Sequence, residues 1–371
     1  MLTAIVFEGG PYTGPVETWV ARVREEMTIA LLARLSASGN FDPVVLCTDR
    51  PHLGRRAEQE TGAISEVSDA SSGFHFGRRL QEAVHTHAPR GFIYLSGGSG
   101  QLMTAAEVQS FAQAIHDNPE SMVANNIYSA DMFGTLNVRA VLDPSLPDQD
   151  NSVPMVVAAE SGVHLVPLAP TLGTGFDVDT PTDVLILSEF PKLDPRIRAA
   201  AAWEPACLAR DRLKRAQAIL AGELTEIALI GRVPPSTVAA LNEQTRCRLR
   251  VFSEERGMRS FGRDRPGIAR SLIGRFVEAA GAREFFGHLS WCAQAVFIDT
   301  RVIFAHMGAV LGQEERFASD LFMDERIGDR GAAEFVREAR EAEIPVILGG
   351  HSLVSAGVRV VAGLAGMRAA W

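Results

Sequence analysis

Lysine is nearly absent from this chain of 371 residues. Lys192 and Lys214 are the only two, so arginine supplies almost all of the positive charge. The first 191 residues contain no lysine at all. A reaction that needs a lysine ammonium group in the first half of the chain must therefore obtain it from elsewhere.

Cysteine and long apolar runs are also scarce. The four cysteines are widely spaced and form no CxxC pair, which argues against a disulfide framework or a zinc knuckle. No apolar run reaches the roughly 18 residues that a membrane span needs. The N-terminus also lacks the basic region followed by an apolar stretch that is typical of a signal peptide. We therefore expect a cytoplasmic protein that does not engage a membrane.

The charge balance argues against a further class of partner. The formal net charge is -9 and the isoelectric point is near 5.6, without a clustered basic run. Proteins that bind nucleic acids need concentrated positive surface, so we expect no nucleic-acid partner. The sequence leaves the oligomeric state open, with a homo-oligomer as one alternative.

The length favours two domains, each with its own core. Thr3–Phe7 is predicted to be a buried strand, and after a glycine turn Val16–Leu35 has the apolar spacing of a helix. This alternation of short strands and helices continues through both halves and predicts mostly parallel sheets covered by helices. Two prolines in Phe190–Pro195 indicate a boundary near residue 195, so the predicted domains are 1–195 and 196–371.

Other segments give more local predictions. Gly134–Ala140 and Val153–Ala158 are predicted as strands, and Arg196–Ala221 as one connecting helix. Thr104 is predicted to cap a helix, because an acidic residue follows three positions later as in a capping box. Thr180 is predicted to cap another helix, which begins with a proline.

The segment Gly173–Asp183 reads GTGFDVDTPTD and precedes a predicted helix. Asp177 and Asp179 stand two residues apart beside a strand end. Two carboxylates in this arrangement can offer hard oxygen ligands to a magnesium ion that carries a nucleoside triphosphate. The same residue types also form turns and cap helices, so a purely structural role stays open.

Two glycine-rich turns follow predicted strands of the first half. Gly9 and Gly10 follow the first strand, and Gly97, Gly98 and Ser99 follow the fourth. Backbone N–H groups in such turns can approach phosphate closely. A glycine-rich turn can also serve only as a connector that needs positive φ angles.

Three arginines of the first half are candidate phosphate ligands. Arg78 belongs to an arginine pair at the start of a predicted helix, where it could bind an anion through charge-assisted hydrogen bonds. Arg22 and Arg24 lie on the first predicted helix, where either could face phosphate or solvent. We expect them to face solvent.

The segment Gly173–Asp183 resembles the D-x-D-T-P-x-D ending of small guanylyl- and cytidylyltransferases. Residues 1–190 are similar in strand order to the phospholactate and molybdopterin guanylyltransferase families. The resemblance implies a first domain of the GT-A-like fold, with three α/β/α layers and a mostly parallel mixed sheet. It also implies that the first acidic residue of the turn, Asp177, helps to hold a divalent metal, with Mg²⁺ as the expected cofactor.

The chain departs from this family at two positions. The family's L-x-G-D-x-P-L-L-T stretch has a metal-binding aspartate where Gly98 or Ser99 stands here. The lysine that follows the family's first glycine turn is missing as well. Glycine offers no metal ligand, and a serine hydroxyl is a poor substitute for a carboxylate.

Three functions follow from these observations. The first is Mg²⁺-dependent transfer of a nucleotidyl group from an NTP to a small phosphorylated or hydroxylated metabolite. The second is binding of a nucleotide or phosphorylated metabolite without transfer, with the second domain regulating or carrying its own reaction. The third is glycosyl transfer from a nucleotide sugar. The sequence leaves open whether the chain is an enzyme.

The second half is predicted to be a Rossmann-like α/β domain with a candidate site of its own. Asp299 follows one buried strand, His351 follows another, and His306 lies nearby in the sequence. Because the carboxyl ends of parallel strands meet at one sheet edge, these side chains could hold a metal, or His351 could act as a base. Packing and hydrogen bonding are the alternative roles of a lone histidine.

Overall fold

A computed structural model describes residues 1–69, 73–88, 90–127, 129–258, 262–263, 265 and 267–369. The strands are β1 (Leu2–Phe7), β2 (Phe41–Thr48), β3 (Ile64–Val67), β4 (Phe92–Ser96), β5 (Ser121–Ala124), β6 (Met132–Thr135), β7 (His164–Pro167), β8 (Glu226–Gly231), β9 (Arg248–Ser253), β10 (Ala295–Asp299) and β11 (Val346–Gly349). In this part of the chain no helix is both long and apolar enough to cross a bilayer.

Helices separate most of these strands. They are α1 (Pro15–Ala37), α2 (Pro51–Thr61), α3 (Phe76–His87), α4 (Ala105–Asp117), α5 (Arg139–Leu142), α6 (Val153–Ser161), α7 (Leu172–Gly175), α8 (Pro181–Ser188), α9 (Pro195–Ala201), α10 (Cys207–Leu220), α11 (Pro235–Gln244), α12 (Leu272–Ala280), α13 (Ala282–Cys292), α14 (Thr300–His306), α15 (Gln313–Asp320), α16 (Arg330–Glu341) and α17 (Val358–Ala369). Short 3₁₀ helices occur at Glu204–Ala206 and Asp324–Arg326, and a π-helical segment at Leu353–Gly357. The protein is thus of the α/β class, as predicted.

The chain folds as two compact units. The first unit comprises Met1–Pro11 and Arg24–Asp177, and the second comprises Tyr12–Val23 and Val178–Trp371. The domain boundary near residue 195 stays a prediction.

The first unit contains a seven-stranded sheet in the order β3-β2-β1-β4-β6-β5-β7. Strand β6 runs antiparallel to β4 and β5, and the other neighbours are parallel. The sheet is therefore mostly parallel and mixed, as predicted. The chain turns from β1 to β2 on one side and places β4 on the other side of β1, so a topological switch point lies between β1 and β4.

Helices cover both faces of this sheet, and β1 is therefore buried on both of its faces. Leu2, Ala4 and Val6 pack into one apolar cluster with residues of α1, α2 and α4. Ile5 and Phe7 point to the opposite face and pack with residues of α3 and α6. This alternation is the two-residue period of a strand between two helical layers.

The second unit contains a four-stranded sheet in the order β11-β10-β8-β9, in which all neighbours are parallel. The chain passes from β8 to β9 on one side and later places β10 on the other side of β8. The switch point of this sheet therefore lies between β8 and β10. The assignment of this unit to the Rossmann-like class stays a prediction.

Three local predictions need correction. The predicted strand Gly134–Ala140 is the end of β6 followed by the short helix α5, and the predicted strand Val153–Ala158 is helix α6. A short apolar run does not distinguish a strand from a buried helix, and the proline in the first turn of α6 favours the helix. The predicted helix Arg196–Ala221 is interrupted between α9 and α10, where Pro205 follows Glu204 in a 3₁₀ turn.

The predicted helix caps are confirmed. The hydroxyl of Thr104 accepts a hydrogen bond from the N–H of Glu107, whose carboxylate accepts one from the N–H of Thr104. Thr180 and Asp183 form the same capping box at α8. The second box is buried, whereas the first is exposed.

Candidate functional site

The two predicted glycine turns of the first unit lie side by side. Phe7 at the end of β1 is in register with Ser96 at the end of β4, and the N–H of Gly97 donates to the carbonyl of Phe7 over 2.9 Å. Both turns therefore begin at the carboxyl edge of the switch point, where open α/β sheets bind ligands.

A buried carboxylate, that of Glu8, fills the space between these turns. Arg24 donates to it from Nε over 3.0 Å and lies 2.9 Å away with Nη2, and Arg50 lies 3.7 Å away with Nη1. A Cβ atom at Gly97 would lie 2.3 Å from Oε2 of Glu8, so a side chain at position 97 would displace that carboxylate. The expectation that Arg24 faces solvent is wrong, whereas Arg22 is exposed.

The first turn is closed by a second carboxylate. Gly9 is exposed, and Gly10 has a φ of 110°, a conformation that favours glycine. The N–H of Gly10 donates to the carboxylate oxygens of Asp49 over 3.2 and 3.1 Å. The Asp49 carboxylate thus takes the amide that the sequence predicted for phosphate.

The second turn is held within the fold. Gly97, Gly98 and Ser99 are all buried, and both the N–H and the hydroxyl of Ser99 donate to the carbonyl of Ser96, over 3.1 and 2.9 Å. Arg34 donates to three carbonyls at the following positions, 100, 101 and 103. The amides of Gly97 and Ser99 are therefore bonded to protein carbonyls.

Acidic side chains surround the end of β4. The hydroxyl of Ser96 donates to Oδ1 of Asp177 over 3.4 Å, and Asp177 is largely buried. Tyr94 donates to Asp150 over 2.9 Å. Burial raises the pKa of Tyr94 well above its ordinary value, and the charges of Asp150, Asp131 and Asp177 raise it further. Three carboxylates thus act on one strand end.

The two predicted metal ligands have different surroundings. Asp177 belongs to the first unit, whereas Asp179 is exposed and belongs to the second. Among the described residues, no three His, Cys, Asp or Glu side chains are arranged to hold a metal ion by themselves. A magnesium ion on nucleotide phosphates needs only one or two protein carboxylates, and the role of Asp177 as such a ligand stays a prediction. Arg78 lies exposed in the first turn of α3.

The start of α1 is capped by a distant carboxylate. Glu314 accepts hydrogen bonds from the N–H groups of Val16 and Glu17 over 3.1 and 2.8 Å, and all three residues belong to the second unit. Free N–H groups at a helix start attract anions. Here Glu314 supplies the anion.

Asp299 occupies the switch point of the second sheet. Its carboxylate is fully buried and accepts hydrogen bonds from Arg232, over 2.6 Å from Nε and 3.1 Å from Nη2. Burial by itself would raise the pKa of Asp299, but the charge and hydrogen bonds of Arg232 hold it below its ordinary value. A Cβ atom at Gly231 would lie 2.5 Å from Cβ of Asp299, so glycine leaves the needed room.

The charge of Asp299 acts on His351, and the site predicted from these two residues stays a prediction. Burial lowers the pKa of His351 to about 4, the charge of Arg232 lowers it further, and that of Asp299 opposes the shift. Nδ1 of His351 is inaccessible to solvent and has no hydrogen-bond partner among the described residues. The ring is therefore neutral near pH 7.

His306 faces α12 instead. Its Nδ1 accepts a hydrogen bond from the N–H of Ser271 over 3.1 Å, and its Nε2 lies 3.6 Å from Glu278. Because Nδ1 is an acceptor, the ring proton of the neutral form is on Nε2.

The second unit also contains two further buried carboxyl groups, those of Asp320 and Asp183. Arg301 donates to both carboxylate oxygens of Asp320 over 2.7 Å each. Asp183 accepts from the hydroxyl of Ser352 over 2.7 Å. Burial raises the pKa of Asp183 to about 7, against the opposing effect of the hydroxyl hydrogen bonds from Ser352 and Thr180.

Sequence reasoning missed several members of both edges. Arg50 stands in no motif, and Ser352 follows the predicted His351 without a role of its own; their partners Glu25 and Asp183 lie 25 and 169 residues away along the chain. A single sequence carries no signal for pairs at such separations. Two of the glycines were a usable signal, because Gly9 and Gly97 mark positions where the carboxylates of Asp49 and Glu8 approach the backbone closely.

Three solved structures are similar to this chain. A CMP:2-keto-3-deoxy-manno-octonic acid synthetase in complex with CTP is 17% identical, covers 48% of this chain and 93% of its own, and has a TM-score of 0.34. A nucleotidyl transferase from Methanothermobacter thermautotroptrophicus is 12% identical, with coverages of 47% and 90% and a TM-score of 0.35. A protein assigned as a nucleotide-diphospho-sugar transferase from Desulfovibrio desulfuricans is 13% identical, with coverages of 54% and 91% and a TM-score of 0.34.

No protein-family model and no curated protein sequence matches the chain. Each of the three similarities spans about half of this chain.

Proposed function

We propose that this chain is a nucleotidyltransferase-like protein whose first unit binds nucleotide phosphates at the carboxyl edge between β1 and β4. The observation that carries the proposal is the 3.4 Å distance between the Ser96 hydroxyl and the Asp177 carboxylate. It brings two separate motifs, the GTGFDVDTPTD turn and the glycine turn after β4, to one sheet edge. In its complete form the proposal includes transfer of a nucleotidyl group from an NTP to a small phosphorylated or hydroxylated metabolite.

Asp177 is the carboxylate that would hold Mg²⁺ in this reaction. Bound Mg²⁺ neutralises charge that develops on the phosphates during transfer. The cations nearest to the edge are Arg24 and Arg50, both of which approach Glu8. Phosphate oxygens would compete with the Glu8 carboxylate for these guanidinium groups, since both form charge-assisted hydrogen bonds with arginine.

A second candidate function is binding of a nucleotide or phosphorylated metabolite without transfer. It is favoured by the turn after β4, where the Ser99 hydroxyl donates to a carbonyl within a buried turn. A hydroxyl used in this way does not replace the metal-binding aspartate of the resembled family. Glycosyl transfer from a nucleotide sugar would need the same acid, so no observation favours it over these two functions.

Thermal unfolding of the full chain with each NTP, with and without Mg²⁺, tests both candidates, because a ligand of the folded state raises the unfolding temperature. Transfer predicts stabilisation that requires Mg²⁺ and disappears in Asp177→Asn. Binding without transfer predicts stabilisation that is independent of Mg²⁺ and weakens in Arg24→Gln.

The matched control is Asp117→Asn, which changes an exposed carboxylate on α4. It should leave the response to nucleotides unchanged. If no nucleotide shifts the unfolding temperature under either condition, both candidate functions are wrong. Radiolabel transfer from the stabilising NTP to candidate phosphorylated acceptors then separates the two functions directly.

A further inference from the structure

The loops that follow β1 and β2 lie side by side at the carboxyl edge of the first sheet. Phe7 is in register with Cys47 in this parallel pair, and the N–H of Glu8 donates to the carbonyl of Cys47 over 3.1 Å. The pairing brings Gly10 of the first loop to Asp49 of the second. Both loop residues belong to the first unit.

The second loop holds both backbone polar groups of Gly10. The N–H donates to Oδ1 and Oδ2 of Asp49 over 3.2 and 3.1 Å, and the carbonyl accepts from Nη2 of Arg50 over 3.3 Å. A Cβ atom at Gly9 would lie 2.5 Å from Oδ1 of Asp49, so this carboxylate lies directly against the turn. If the Asp49 carboxylate left, the amide would become available while Arg50 still held the turn.

Asp49 differs from Glu8, the other carboxylate of this turn, in what holds it. Arg24 and Arg50 both approach Glu8, at 2.9 and 3.7 Å. Across the residues that the structure describes, Asp49 has no ion pair, and its hydrogen bonds come from the Gly10 amide. Breaking a buried ion pair costs more than exchanging one amide hydrogen bond. Asp49 is therefore the carboxylate of this turn that another anion displaces most easily.

We propose that Asp49 is an internal competitor of the nucleotide, whose phosphate replaces the Asp49 carboxylate on the N–H of Gly10. The inference rests on the function proposed for the first unit, which places nucleotide phosphates beside this turn. Phosphate and carboxylate oxygens are both anionic acceptors for the same amide hydrogen, and the two anions repel each other. Asp49 thus weakens nucleotide binding, and removal of its charge strengthens it.

Isothermal titration of the full chain with ATP, GTP, CTP and UTP, each with Mg²⁺, tests this competition. Asp49→Asn keeps an oxygen that can accept from the Gly10 amide and removes the charge, whereas Asp49→Ala removes both. We expect both variants to bind the preferred nucleotide at least about tenfold more tightly than the unchanged protein, a difference of about 1.4 kcal/mol. Asp49→Asn guards against a loss of the native turn in the alanine variant.

The matched control is Asp117→Asn, which removes a negative charge from an exposed position on α4. It should bind nucleotides like the unchanged protein, and an equal gain in this variant would overturn the proposal, because the effect would then belong to net charge. Unchanged or weaker binding in both Asp49 variants would also overturn it. The function proposed for the first unit would stand in that case, provided that the unchanged protein binds a nucleotide.

Inorganic tripolyphosphate separates the competition from the nucleotide function. Tighter binding of tripolyphosphate to both Asp49 variants, with no nucleotide bound by any of the proteins, would support displacement of Asp49 by phosphate and refute the nucleotide function. If neither tripolyphosphate nor a nucleotide bound to any of them, both proposals would be wrong.

Hydrogen exchange of the peptide that contains Gly10, followed by mass spectrometry, gives a readout at the amide itself. Exchange should be faster in Asp49→Ala than in the unchanged protein, and saturating nucleotide or tripolyphosphate should slow it again. Exchange in Asp49→Ala that the bound ligand leaves unchanged would show that phosphate does not take this amide, and would overturn the proposal.

Discussion

At the switch point of each sheet, a buried acidic residue lies against a glycine of the neighbouring strand end. In the first unit the carboxylate of Glu8 lies against Gly97, and in the second unit Gly231 lies against Cβ and the backbone of Asp299. The two edges differ in how the acid is balanced. Two arginines approach Glu8, whereas in the described part of the chain Arg232 is the one arginine whose side chain pairs with Asp299. The first edge therefore holds its charge redundantly, and the second depends on one ion pair.

The largest effect is expected from breaking the single pair. Arg232→Met leaves the Asp299 carboxylate buried without its cation, which typically costs about 3–5 kcal/mol of stability. The loss should appear as faster hydrogen exchange in β8 and β10 and as a lower urea midpoint for the second unit. Arg246→Met, at a highly exposed position, should change stability by no more than about 0.5 kcal/mol. Equal effects of the two variants would contradict the comparison.

The second expected effect is a dependence of stability on pH, which arises from Asp183 and His351 of the second unit. Burial raises the pKa of Asp183 in the folded protein to about 7, above its value in the unfolded chain. Folding is then favoured by the protonated carboxyl group, so this contribution is present below about pH 4 and is lost as the pH rises through 7. The contribution of His351 to stability has the opposite sign. It grows as the pH rises from the lowered pKa of about 4 toward the ordinary pKa of histidine.

Asp183→Asn separates these two contributions because it leaves His351 in place. We expect the stability of the wild type relative to this variant to fall by on the order of 2 kcal/mol between pH 5 and pH 8. Urea unfolding followed at several pH values measures that difference. Asp117→Asn, at an exposed position on α4, should show no such trend, and a flat difference for Asp183→Asn would show that its carboxyl group stays ionised throughout.

The smallest effect is expected from breaking one of the two pairs at the first edge. Arg24→Met leaves Arg50 within 3.7 Å of Glu8, so the carboxylate keeps a cation and the loss of stability should be about 1–2 kcal/mol. Removing both arginines should cost more than the sum of the single variants, because the second loss leaves the acid unpaired. A cost for Arg24→Met as large as that for Arg232→Met would show that Arg50 does not substitute.

The local features of the fold were predictable from the sequence. Thr104 and Thr180 were predicted as caps from the spacing of the acids that follow, and both form capping boxes. The strand predicted at Thr3–Phe7 is β1 because its apolar residues are continuous and end at glycine. The prediction of a strand at Val153–Ala158 is wrong, because a run of valine and alanine fits either a strand or a buried helix and only packing decides between them.

The candidate sites were predictable only in part. The sequence pointed to strand ends, and the structure places Ser96 beside Asp177 and His351 within reach of Asp299. The sequence gave no indication that Glu8 would fill the space beside Gly97. The positions of charged residues along the chain do not show which arginines approach a given carboxylate. Ion pairs between distant residues depend on the packed fold and not on local spacing.

Helix α1 has a consequence for how this polypeptide can be divided. Its opening segment, Tyr12–Val23, groups with the second unit, where Glu314 caps the helix and the indole of Trp19 stacks on Trp203 and donates to the carbonyl of Ala200. A fragment that stops at residue 195 would carry this segment without its partners, with bare helix amides and an uncovered indole. A division of the chain that keeps these contacts must therefore leave residues 12–23 with the second unit.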